Sequence, residues 1–208
     1  MEVPLELVDS TIDVNLKGQI YGMMIVAPIM MGQRRGHIIN ISSLAGISPT
    51  PGNELYSAAK SGLRSVSLST AVRLRPHGVF VTVLCPDLVD TPTVDRHMKL
   101  PPTDVALIYS GPGALSLERI EEALWHIVRR RPLELAVPAS RGLMVKLVNA
   151  FPQLMPRLYG TLLRRGLRRL EEVRLRRYGD RTAVSSAATD VRGARAEDRE
   201  SILRGISS

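Results

Sequence analysis

The chain has 208 residues, 44% of them hydrophobic and 23% charged, enough to bury one sizeable core and ordinary for a soluble globular protein. Aromatics make up 4%, so the core must be aliphatic, and the single cysteine, Cys85, excludes an internal disulfide and a cysteine-based metal site. The net charge of +8 is concentrated: residues 1–128 carry 10 Lys/Arg against 12 Asp/Glu, and residues 129–181 carry 14 against 4.

Leu5, Val8, Ile12 and Leu16 recur at helical spacing, and the spacing predicts a helix over 5–31. Its apolar second half, "IYGMMIVAPIMMG", is too short to span a bilayer, and the acidic residues before it do not suit a secretory signal. The expected compartment is the cytoplasm, with contact at a membrane surface left open. After "RRG", the run "HIINIS" (37–42) reads as a buried strand. The loop "SLAGISPTPGN" leads to a helix over 54–75, stopped by "RPHG". "VFVTVL" (79–84) is a second strand, Ser116 caps a helix running to about Arg130, and "LELAV" (133–137) is a third strand. Strands alternating with helices of this length predict an α/β fold with a parallel sheet.

A Pro-, Thr- and Gly-rich stretch, 86–115, is too long for a plain connector and reads as a functional flap. Residues 142–179 are helical by pattern, broken at Pro152 and Pro156, with leucines on one face and arginines on the other. That segment suits an anionic membrane surface; an extra helix pair with solvated arginines is the plainer alternative. Few aromatics interleave the arginines, and nucleic acid is not an expected partner. The expected organisation is a half-domain over 1–140, a basic helical extension over 141–179 and a disordered tail over 180–208. His37, His77, His97 and His126 lack metal-ligand spacing, and Met23, Met24, Met30 and Met31 read as packing.

The stretch "LYSAAKSGL" puts Tyr56 and Lys60 four residues apart, on one helical face, with small residues between. A phenol normally titrates near pH ~10, and an ammonium within ~4–6 Å favours the phenolate, so the pair is a candidate acid–base unit. Taken alone, so short a motif reads first as a surface tyrosine stacked along a lysine stem. Its surroundings raise its interest: Ser42 and Ser43 end a strand, where parallel sheets place ligand sites, and Asn15 sits mid-helix without an obvious task.

In order, "NLKG", "NISSLAG", "YSAAKSGL" and "VTVLCPDLVDT" resemble the short-chain dehydrogenase/reductase family across residues 1 to about 140. The resemblance implies a Rossmann-like, doubly wound parallel sheet, here partial, and oxidoreduction of an alcohol/carbonyl pair with NAD or NADP. It implies Tyr56 as proton donor or acceptor, Ser43 as its partner on the substrate oxygen, and Lys60 lowering the Tyr56 pKa and holding the nicotinamide ribose. Asn15 would position a water that relays protons from Lys60. Pro86, Val89 and Thr91 would contact the nicotinamide. It further implies a homo-oligomer through helices 5–31 and 54–75, and a lid over 91–114 whose apolar residues suggest a hydrophobic substrate.

Two departures follow. Asp87 stands where the family has glycine, which puts a negative charge near the expected nicotinamide. The family's opening strand and T-G-x-x-x-G-x-G phosphate loop do not occur in these residues, so NAD and NADP cannot be told apart. The expectation is the catalytic half of such an enzyme. A non-catalytic, dimerising interaction protein is the alternative, and a start upstream of Met1 a third reading.

Overall fold

The computed structural model describes residues 3–92 and 113–178. Three parallel strands form a sheet in chain order: β1 (Gly36–Ile41), β2 (Val79–Pro86) and β3 (Glu134–Val137). The register pairs Gly36 with Val79 and Ile41 with Leu84, then Val83 with Glu134 and Pro86 with Val137. Because β2 has a neighbour on each edge and helices over both faces, it reads as an apolar run interrupted only by the buried Thr82. Its odd residues and even residues go to opposite sides.

On the odd side lie α2 (Gly18–Gly32) and α3 (Glu54–Leu74). Met23, Ala27, Ala71 and Leu74 meet Ile38, Val79 and Val81 there, forming one cluster of buried side chains. Further along the same face, Val83 and Cys85 pack with Leu44, Ile47 and Val145. On the even side, Leu84 packs with Ala123 and Ile127 of α4 (Leu117–Arg130), whose N-terminal amide of Arg119 donates to the capping Ser116 Oγ. Each such aliphatic side chain, fully buried, contributes about 1.5–3 kcal/mol. Helices on both faces of a parallel sheet define the α/β, Rossmann-like architecture expected from the sequence.

The first helix departs from its simple pattern. α1 (Leu5–Ile12) passes into α2 through a π-helical turn, Asp13–Lys17, that contains Asn15. Such bulges insert one extra residue into the turn and frequently sit at functional sites. Beyond β3, α5 (Ala139–Ala150) and a 3-10 turn (Pro152–Leu154) precede α6 (Met155–Tyr178). Pro152 does break the helix, whereas Pro156 is the second residue of α6, where a missing N–H costs nothing. Most of the expected lid (93–112) and the expected tail (180–208) lie outside the described residues.

Candidate active site at the C-terminal edge of the sheet

β1 ends by handing its backbone to the site. The Ser42 amide donates to the Leu84 carbonyl at 2.7 Å, extending the ladder by one bond, and Ser42 Oγ donates to the Lys60 carbonyl at 2.8 Å. That bond ties the strand end to the middle of α3. Ser43 follows as the cap of a short 3-10 turn, accepting from the Ala45 amide at 3.2 Å. Gly46 closes this turn against α3, where a Cβ would collide with Ser42 Oγ and with the Lys60 carbonyl. The loop then returns to the helix through the Thr50 amide, which donates to Ser57 Oγ at 3.2 Å. Ser43 and Tyr56 are thereby brought face to face. The Ser43 hydroxyl acts on the phenol to lower its pKa.

Lys60 lies one turn further along α3. Its Nζ donates to the Ile41 carbonyl at 3.1 Å and sits 5.6 Å from the centre of the Tyr56 ring. Burial raises the Tyr56 pKa, and the Ser43 hydroxyl offsets only part of that rise. Burial also lowers the Lys60 pKa. The family resemblance predicts a phenol made more acidic by Lys60. Here the amine is engaged with the end of β1 and lies over the ring, so desolvation dominates and the phenol holds its proton more firmly.

Asn15 is on the neighbouring helix. Its amide Nδ2 donates to the Thr11 carbonyl at 3.1 Å, within its own helix. Leu16 of the same π turn would touch a Cβ at Gly62 at 3.1 Å, so this turn rests on α3 two residues beyond Lys60. Turn and helix are in close contact there, while the Asn15 side chain directs its own bond back along the helix.

Past β2, Pro86 ends the strand and the loop 87–91 is held from two sides. The Asp87 amide donates to the Val137 carbonyl at 2.8 Å, and Val89 forms a bridge to Leu115, flanked by two 2.7 Å backbone bonds. Val89 and Thr91 thus stand at the same edge of the sheet as Ser43, one strand across. Asp87 Oδ1 accepts from the Leu88 amide at 2.9 Å and Oδ2 accepts from Arg141 Nε at 3.1 Å. Its carboxylate is half turned into the loop and half committed to the first turn of α5.

Sequence reasoning missed two charged clusters that tie the sheet to its helices. Besides Asp87–Arg141, Glu134 of β3 holds both Arg64 of α3 and Lys146 of α5. Burial works to raise the Glu134 pKa, yet the two cations outweigh it and the carboxyl titrates below its usual range. A lone carboxylate inside the apolar run "LELAV" was the available signal, since a buried charge requires a partner. Cys85, beside this cluster, is fully buried, and burial pushes its thiol up to about 12.

The architecture is shared with solved α/β proteins. A short chain dehydrogenase from Burkholderia cenocepacia, crystallised in complex with NADP, superposes with a TM-score of 0.61 at 20% identity, over 74% of this chain and 60% of its own. A 3-oxoacyl-[acyl-carrier protein] reductase from Brucella melitensis gives a TM-score of 0.55 at 25% identity, over 65% of this chain and 53% of its own. In sequence, an uncharacterized oxidoreductase of Staphylococcus saprophyticus is 39% identical over 110 residues, and one of Staphylococcus epidermidis is 38% identical over 87. The matched part spans 47% and 38% of those relatives' lengths. The short chain dehydrogenase family model matches residues 1–99. That portion of the chain is similar to the short chain dehydrogenase family.

Proposed function

We propose that this chain forms the proton-transferring part of an NAD(P)-dependent oxidoreductase that interconverts an alcohol and a carbonyl on a hydrophobic small molecule. The observation that carries this reading is the convergence of Ser43, Tyr56 and Lys60 at the C-terminal edge of a parallel sheet. In the reducing direction, Tyr56 gives its proton to the carbonyl oxygen, which Ser43 holds in place. Lys60 keeps hydrogens on Nζ beyond the one donated to Ile41 and offers them to ribose hydroxyls. When bound, the reduced nicotinamide supplies the hydride for the carbon.

The residues present fit the nicotinamide end of such a cofactor. Asp87 does not bring an unbalanced charge there, because Arg141 faces its carboxylate. Pro86, Val89 and Thr91 follow β2 at the same edge and would line the carboxamide, Val89 through its backbone. Asn15, with the π turn against α3, would hold the relay water for Lys60. The phenol's raised pKa suits a proton donor at neutral pH.

The family's oxidoreductase relatives support an enzyme over the dimerising module considered above. A second copy is still expected to pair through α1–α2 and α3, where Leu5, Val14, Tyr21, Ile25 and Val72 are exposed. A reducing, cytoplasmic setting accords with the unpaired Cys85, and no helix among the described residues is long and apolar enough to cross a membrane.

Cofactor contact is testable without knowing the substrate. Saturation-transfer NMR of the 208-residue chain with NADH or NADPH should show the nicotinamide ribose protons in contact with protein. Lys60→Ala should weaken that contact about tenfold or more, in line with loss of charge-assisted bonds. Contact through the adenine end alone, or a signal unchanged in Lys60→Ala, would show that the site has been assigned wrongly.

A further inference from the structure

We propose that the opposite, N-terminal end of the sheet is a docking face for an anionic phospholipid surface. The three strands are parallel, so the turns that feed them lie at one end of the molecule. Each of those turns is rich in arginine: "QRRG" before β1, "RLRPHG" before β2 and "RRRP" before β3. None contains a carboxylate. The turns are in mutual contact. Arg34 places its carbonyl where a Cβ at Gly78 would clash, and the guanidiniums of Arg75 and Arg131 each lie 4.3 Å from the centre of the Phe80 ring. Arg34, Arg35, Arg129 and Arg130 are exposed around that centre.

The chain brings apolar side chains to the same end. Gly142 lies against Ala136 and Lys146 reaches Glu134, so α5 runs antiparallel to β3. One turn beyond Lys146 the helix has therefore passed the start of the strand. Phe151 and Leu154 follow there, each exposed, as is Leu133 in the turn before β3. From this point α6 leads away with exposed Arg157, Arg164, Arg165 and Arg168.

Guanidiniums beside exposed leucine and phenylalanine match the two layers of a lipid surface, phosphate outside and acyl chain beneath. A nucleic acid would satisfy the charges but leave the apolar side chains wet. A second copy docking by this face would set arginine against arginine with no carboxylate in any of the turns. The face does not include the acid–base residues, which are at the other end of the strands, so the proposal stands apart from the oxidoreductase reading.

The test is sedimentation of the full chain with phosphatidylcholine vesicles, with and without phosphatidylglycerol. Binding to the anionic vesicles should exceed binding to the neutral ones by about tenfold or more and weaken as salt rises. Arg34→Glu/Arg35→Glu/Arg130→Glu should abolish the difference, and Arg34→Lys/Arg35→Lys/Arg130→Lys should preserve most of it. Phe151→Ser/Leu154→Ser should lose binding that persists in high salt. Equal binding to both vesicles, no binding, retention by the glutamate variant, or a preference for duplex DNA over the vesicles would each overturn the proposal.

Discussion

The two ends of the same three strands are built on opposite principles. At the C-terminal edge, Ser42 and Lys60 bond to helix and strand carbonyls, Ser43 accepts from the Ala45 amide, and the Lys60 amine lies over the Tyr56 ring, so their geometry is set before any ligand arrives. At the N-terminal edge, arginines crowd into short turns and are exposed, so what they supply is a field rather than a fixed constellation. Chemistry needs the first arrangement, because misplacing a donor by an ångström forfeits its effect. Attraction to a charged surface needs only the second. Substitutions should therefore behave differently at the two ends: costly in rate or stability at the upper edge, nearly silent for folding at the lower one.

Apart from Tyr56 itself, the largest separation should come from Ser43→Ala. Loss of a hydrogen bond to the reacting oxygen predicts a fall in turnover of about 10²–10³-fold, read from steady-state kinetics. The same variant has a pH signature. Ser43 holds the Tyr56 pKa down against burial, so its removal should move the alkaline limb to still higher pH. In wild type, alcohol oxidation should rise with pH, since the phenol must first lose a proton it holds tightly. Carbonyl reduction should be favoured toward lower pH.

Gly46→Ala comes next. The new methyl group would press on Ser42 Oγ and the Lys60 carbonyl, and such insertion into a well-packed site costs about 1–3 kcal/mol, measurable by denaturant titration. Glu134→Gln should cost about 1–2 kcal/mol, below the range for a fully buried pair because Arg64 and Lys146 remain partly exposed. Smallest of all, Arg34→Glu/Arg35→Glu should leave stability within about 0.5 kcal/mol of wild type, since both side chains are exposed.

Cys85 gives a pH test of the core that joins these edges. Its folded-state pKa of about 12 lies above the usual thiol value of 9.0, so the folded chain holds this proton more tightly than the unfolded one. That contribution is complete below pH 9.0 and is lost as pH climbs toward about 12. Stability should therefore decline over that interval, and a thiol reagent should find Cys85 only after unfolding.

The elements were legible in the residues because period and punctuation agreed. "HIINIS" and "VFVTVL" have no helical face, "LYSAAKSGL" has one, and Pro76 with Gly78 marks a stop between helix and strand. Ser43, Tyr56 and Lys60 were legible as candidates because two of them share a helix turn and the third ends a strand. Other features required coordinates. The π turn at Asn15 leaves no mark in the apolar spacing, and the direction of the Tyr56 pKa shift depends on where the Lys60 amine rests. The Asp87–Arg141 and Glu134–Arg64–Lys146 contacts join residues 54 and 70 positions apart, or on separate elements, which no local pattern encodes. The clustering of three arginine turns likewise appears once the strands are known to be parallel and adjacent.

The most direct measurement compares carbonyl reduction by wild type and by Tyr56→Phe, under conditions where both bind cofactor equally. Removing a single oxygen from the ring should lower turnover by about 10²–10⁴-fold while far-UV dichroism and thermal midpoint stay as they were. Turnover that survives in Tyr56→Phe at the wild-type rate would contradict the account, because the proton would then come from somewhere else.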